Sequence, residues 1–124
     1  MLQTDGSGKA PASWILDLLH WTLCAPNGCM MHLTFVEITI ARLILSTPGK
    51  WVSRENIMHA LAKAGNDANR RSLDTAIGRM RKKVKNAVGM EIPIQAAYGR
   101  GYVFTCETEV LGGEQISIAA ADLA

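Results

Sequence analysis

Between Arg70 and Val88 the chain combines a strict apolar repeat with dense positive charge. Leu73, Ile77, Met80, Val84 and Val88 recur three or four residues apart, the spacing of one face of an α-helix. Seven Lys or Arg residues occupy the same segment from Arg70 to Lys85, against a single acid, Asp74. A strand cannot use this pattern, because its side chains alternate with period two. A helix can, provided its apolar stripe packs on other elements and its charged surface stays outside.

Stepped at about 100° per residue, the helix sorts its polar residues. Arg71, Thr75, Arg79 and Lys82, at i, i+4, i+8 and i+11, lie opposite the apolar stripe, with Gly78 beside them. Arg81 and Lys85 lie on one flank near Asp74, and Lys83 lies on the other. Solvated helices usually interleave acids with bases at i, i+4. A helix this basic repels itself, and a polyanionic partner relieves the repulsion. Such a helix fits the major groove of DNA, where Arg reads guanine, Thr meets a base edge or thymine methyl, and Lys serves phosphates.

The formal charge of +2 conceals the asymmetry. Residues 1–69 sum to zero, residues 70–104 to +6 and residues 105–124 to −4. A hydrophobic fraction of 48% in 124 residues suits one globular domain and excludes global disorder. The N-terminus lacks a basic region followed by an apolar run, so no signal peptide is expected, and no apolar stretch is long enough for a membrane span. Three cysteines form no disulfide framework and favour a reducing, cytoplasmic setting. Cys24, Cys29, His32 and Cys106 are too loosely spaced for a structural zinc site, and no nucleophile motif marks an enzyme. Neither a metal nor a cofactor is expected.

The remaining elements follow from local signals. Residues 1–12 read as a flexible leader and 13–106 as the domain. Residues 107–124 read as an acidic flexible tail. Asn27-Gly28 between apolar runs signals a hairpin in an N-terminal antiparallel sheet. Thr34 and Glu37 form a capping box ahead of a first helix containing Val36, Ile40, Leu43 and Ile44, which Pro48-Gly49 ends. Ser53 caps a second helix over about 54–63, and turn residues fill 65–69. After Pro93, two apolar runs flank Gly99-Arg100-Gly101, a hairpin with a basic tip.

In this order the segments resemble a winged helix-turn-helix domain of the OmpR/PhoB type, an α+β fold. It has an N-terminal antiparallel sheet, a three-helix bundle and a C-terminal β-hairpin wing. Leu33-Thr34-Phe35-Val36-Glu37 is similar to the entry of that family's first helix. Pro48 to Glu55 is similar to the turn into the second, Arg71 to Val84 to the recognition helix, and Tyr98 to Phe104 to the wing. The resemblance implies sequence-specific binding of double-stranded DNA in bacterial transcription regulation, within a two-component phosphorelay. The third helix would lie in the major groove and the wing at the minor groove or backbone.

The candidate DNA contacts are Arg54, Arg70, Arg71, Thr75, Arg79, Arg81, Lys82 and Lys83, with Tyr98 and Arg100 in the wing. Tyr98 stands where the family often carries arginine. The resemblance also implies a polymerase-contacting loop containing Gly65, Asn66, Asp67 and Asn69, and a second copy on tandem half-sites. The leader holds no receiver fold and no phosphoacceptor aspartate pocket, so a stand-alone or receiver-less output domain is expected. A winged-helix protein-interaction module and a non-specific nucleic-acid binder remain alternatives.

Overall fold

The structure, a computed structural model, describes residues 13–112. The leader and most of the anticipated tail lie outside the described residues. The described residues open with β1 (Trp14–Asp17), β2 (Thr22–Cys24) and β3 (Met30–His32). Three helices follow: α1 (Phe35–Leu45), α2 (Arg54–Lys63) and α3 (Arg70–Val88). Then come β4 (Ile94–Ala97), β5 (Gly101–Phe104) and β6 (Thr108–Leu111).

The first sheet has the order β3-β2-β1-β6. β1 pairs antiparallel with β2 in the register Leu16↔Leu23, and β2 pairs with β3 in the register Leu23↔Met31. Loop 25–29 joins β2 to β3, and only Gly28 of the Asn-Gly pair takes a positive φ. Asn27 instead works through its side chain. Its amide Nδ2 donates to the carbonyl of Val88 (2.9 Å), and its Oδ1 accepts from Cys29 N (2.9 Å). The hairpin loop thereby satisfies a carbonyl at the C-terminus of α3, which the helix cannot satisfy itself.

The flexible tail expected over 107–124 needs correction at its start. Residues 108–111 form β6, paired parallel with β1 at Trp14↔Thr108 and Leu16↔Val110. Thr108 and Val110 are half-buried while Glu109 and Leu111 face solvent, so this acidic stretch has the period of a strand. The adjacent edge of β1 supplies the partner that a lone strand lacks. The sheet expected to be antiparallel is therefore mixed.

The helices start and stop as their caps dictate. Thr34 Oγ1 accepts from Glu37 N (3.2 Å), and Glu37 Oε1 accepts from Thr34 N (2.8 Å). Ser53 Oγ accepts from Asn56 N (3.1 Å) at the start of α2. Asn69 and Ser72 form a reciprocal capping pair at the start of α3, at 2.8 and 2.9 Å. Leu73, Ile77, Met80, Val84 and Val88 all bury their side chains, which fixes the rotation of α3 about its axis. They join Ile40, Ile44, Ile57, Leu61 and Phe104 in one core that also includes Trp14 and Leu16 of the sheet. The Trp14 and Phe104 rings meet edge to face, with centroids 6.4 Å apart.

The wing, β4 and β5, pairs Ala97 with Gly101 across the tip Tyr98–Arg100. Val52 joins its inner edge through two backbone hydrogen bonds with Tyr102 (2.7 and 2.9 Å). Gly101 sits at φ +100°, and a Cβ there would lie 2.0 Å from the Val52 carbonyl oxygen. Only glycine allows this approach, which anchors the wing beside the N-terminus of α2.

Candidate nucleic-acid interface

The buried stripe of α3 sends Arg71, Thr75, Arg79 and Lys82 outward, and all four are exposed. None of these three cations is in an ion pair among the described residues, and Thr75 makes no side-chain hydrogen bond there. The flanking charges are engaged instead. Lys83 Nζ reaches both carboxylate oxygens of Glu37 on α1, at 2.9 and 3.2 Å. Burial alone raises the Glu37 carboxyl pKa, but hydrogen bonds from Thr34 and Lys83 outweigh it and hold the group below the usual carboxylate range. Lys85 pairs with Glu91 (3.2 Å), and Arg81 Nη2 donates to the Ile94 carbonyl, tying α3 to the first strand of the wing.

Arg54 also departs from its expected role. Its side chain is 11% exposed, and its Nε donates to Asp74 Oδ1 (2.9 Å). Its Nη1 donates to the Ala97 carbonyl (3.3 Å), and the guanidinium lies 4.8 Å from the Tyr102 ring centroid. The Tyr102 hydroxyl donates to the same Asp74 oxygen. One cluster thus links the start of α2, the second turn of α3 and the second strand of the wing. Burial raises the Asp74 carboxyl pKa, but the bonds from Tyr102 and Arg54 reverse that and leave it lowered. Burial and the adjacent Asp74 carboxylate push Tyr102 up to about 12. The one acid in α3 is therefore a fastener for the wing.

Of the expected contacts, Arg54, Arg81 and Lys83 are drawn into internal bonds because acids and carbonyls on other elements lie within their reach. Arg70 pairs with Glu55 (2.7 Å) in an exposed bridge. Bridges of this kind contribute about 0–1 kcal/mol and open readily. Asn69 is committed to the cap of α3, while Gly65 and Asp67 are exposed and Asn66 is half-buried in the same loop.

At the wing tip Tyr98 is 96% exposed. Arg100 stacks over Trp51 with its guanidinium carbon 4.8 Å from the ring centroid, so a half-buried tryptophan orients this arginine. Sequence reasoning missed Trp51 and Asp74 as positioning residues. The available signal was an isolated acid in a basic helix and an aromatic just before the second helix cap. Gly78 lies on the exposed side of α3 with nothing within 4 Å of where a Cβ would stand.

The described cysteines are free, with Cys24 half-buried and Cys29 and Cys106 exposed. No described group of three or more His, Cys, Asp or Glu residues is placed to hold a metal ion. No described helix is long and apolar enough to cross a membrane.

Comparison with known proteins places this geometry. Residues 28–104, more than half of the chain, match the family model "Transcriptional regulatory protein, C terminal". The chain is 29% identical over 102 residues to the regulatory protein VirG of Agrobacterium fabrum, covering 82% of this chain and 40% of VirG. It is 31% identical over 78 residues to the transcriptional regulatory protein PhoP of Escherichia coli K12, covering 63% of this chain and 34% of PhoP. The crystal structure of the DNA-binding domain of Bacillus subtilis CssR aligns with a TM-score of 0.57 and 25% identity, over 75% of this chain and all of that domain. The chain thus spans less than half the length of these two full-length relatives. Its helices, wing and outward basic edge, together with the family match, show that the chain belongs to the C-terminal domains of transcriptional regulatory proteins, the winged helix-turn-helix domains of OmpR/PhoB type.

Proposed function

We propose that the chain binds double-stranded DNA sequence-specifically as the output domain of a two-component transcription regulator. The observation that carries this reading is the sorting of charge on α3. The flanking cations are bound internally, and an edge of Arg71, Thr75, Arg79 and Lys82 remains free. In this reading α3 enters the major groove, with Arg71, Thr75 and Arg79 at base edges and Lys82 at phosphate. Arg70 joins the phosphate contacts when its exposed bridge to Glu55 opens. Tyr98 and the Trp51-oriented Arg100 meet the flanking minor groove or backbone.

The names of VirG, PhoP and the CssR domain support a role in transcription regulation. Loop residues Gly65, Asn66 and Asp67 are available to RNA polymerase, and a second copy would occupy a tandem half-site. The protein acts in the cytoplasm by binding, with no enzymatic step and no cofactor.

Titration of a random duplex at increasing salt tests DNA binding. Affinity should fall with a slope of about −3 in log–log form if Arg70, Lys82 and Arg100 each displace a counterion from one phosphate. A salt-insensitive response would favour the protein-interaction module. Steep salt dependence with equal affinity for every sequence would favour non-specific binding.

A further inference from the structure

A second surface remains outside the DNA-binding reading. Leu18, Trp21, Phe35 and Ile38 are the large apolar residues lining a groove of about 350 Å³ between the β1–β2 turn and the first two helices, where Ala60 and Ala64 complete its apolar surface. No residue of α3 or the wing lines it, and its lining stops at Ala64, before loop 65–69. The Trp21 and Phe35 rings stand 5.8 Å apart and remain 42% and 45% exposed. Aromatics clustered in the open are characteristic of interaction sites.

The backbone is arranged to display one of them. Trp21 has φ +52°, the one positive value at a non-glycine among the described residues. A bulky side chain disfavours that conformation. The Trp21 carbonyl, accepting from Leu33 N at 2.7 Å, holds it in place. The strain therefore serves the position of the indole, which packs on Phe35 at the mouth of the groove.

The rim is positively charged. Arg42 and Lys63 line the groove, no acid does, and neither cation has an ion pair among the described residues. Thr39, the one neutral polar side chain in the lining, already donates to the Phe35 carbonyl (2.8 Å). The groove thus offers apolar contact and two charges, with no further hydrogen-bonding pattern to read a base.

We propose that this groove binds an acidic-flanked apolar segment of a partner protein. A short amphipathic helix would place a bulky apolar side chain against Trp21 and Phe35, and its carboxylates would meet Arg42 and Lys63. Amphipathic helices recognise apolar grooves in this way, and charge at the rim selects among them. The inference does not depend on the DNA-binding reading.

The test is selection of a displayed random peptide library on the wild-type chain, with counter-selection on Trp21→Asn. Asparagine tolerates the left-handed backbone, so that variant keeps its local conformation. Circular dichroism checks that it folds. Enriched peptides should carry a bulky apolar residue among acids. They should bind at least tenfold more weakly to Trp21→Asn and to the double variant Arg42→Glu/Lys63→Glu. Failure to enrich above the counter-selection, enrichment without acids, or undiminished binding to both variants would overturn the proposal. A concentration-dependent dimer abolished by Trp21→Asn would assign the face to a second copy instead. Loss of random-duplex affinity in the same variant would assign it to nucleic acid. Either result overturns the proposal.

Discussion

Replacing Tyr102 by phenylalanine removes one hydroxyl from the cluster that fastens the wing to α3. In the native chain that hydroxyl donates to Asp74 and is displaced by burial and the neighbouring carboxylate from 10.0 to about 12. A raised pKa means that the folded state prefers the protonated phenol. Its contribution to stability is full below about pH 10 and is lost as the pH rises through about 12. Two pH units correspond to roughly 2–3 kcal/mol at most. Asp74 is 48% exposed, so solvent screens the interaction and about 1–2 kcal/mol is the expected loss. Arg54 still pairs with Asp74 in the variant, so no charge is left without a partner. Urea denaturation of wild type and Tyr102→Phe at pH 7 and at stepped pH from 9 to 12 measures both effects. The variant should be about 1–2 kcal/mol less stable at pH 7, and the gap should close as the pH passes 10 to 12. Equal stabilities at pH 7, or a gap independent of pH, would refute the role assigned to this cluster.

Other substitutions probe separate elements. Gly101→Ala should cost about 2–4 kcal/mol and loosen the wing, since a Cβ would stand 2.0 Å from the Val52 oxygen at a positive φ; thermal unfolding reads this directly, and an unchanged melting temperature would contradict the packing. Thr108 carries a buried hydroxyl with no hydrogen-bond partner, so Thr108→Val should stabilise the chain by about 1 kcal/mol in the same assay if β6 is seated on β1 as described. Gly78→Ala should stabilise α3 by roughly 0.5–1 kcal/mol, because nothing in the chain occupies the space its methyl would fill. Weaker DNA binding by that more stable variant would identify Gly78 as a point of close approach to the duplex.

The third helix was legible in detail because its apolar repeat sets its rotation, and the rotation names the outward residues. The capping pairs at Thr34–Glu37 and the hairpin chemistry around Gly99–Gly101 were legible for the same reason, since they depend on residues close in sequence. The uses of Arg54, Arg81 and Lys83 were not. An angular position says which side of a helix a cation occupies but not which distant acceptor reaches it, and Glu37 lies 46 residues from Lys83. β6 was missed because its acidic, short segment becomes a strand only against β1, at the other end of the chain. Thr108 and Val110, β-branched residues two apart, were the signal available. Asp74 read as a lone acid in a basic helix, and its partners Arg54 and Tyr102 belong to other elements.

The central claim is that the free edge of α3, and not the cations bound at its flanks, reads DNA sequence. Selecting bound duplexes from a random pool with wild type, Arg79→Ala and Lys83→Ala compares one residue of each kind. The account predicts a defined motif for wild type and the same motif for Lys83→Ala. For Arg79→Ala it predicts a loss of preference at one base position, costing about 1–3 kcal/mol on the selected site. An altered motif for Lys83→Ala, or a uniform loss on all sequences for Arg79→Ala, would contradict it.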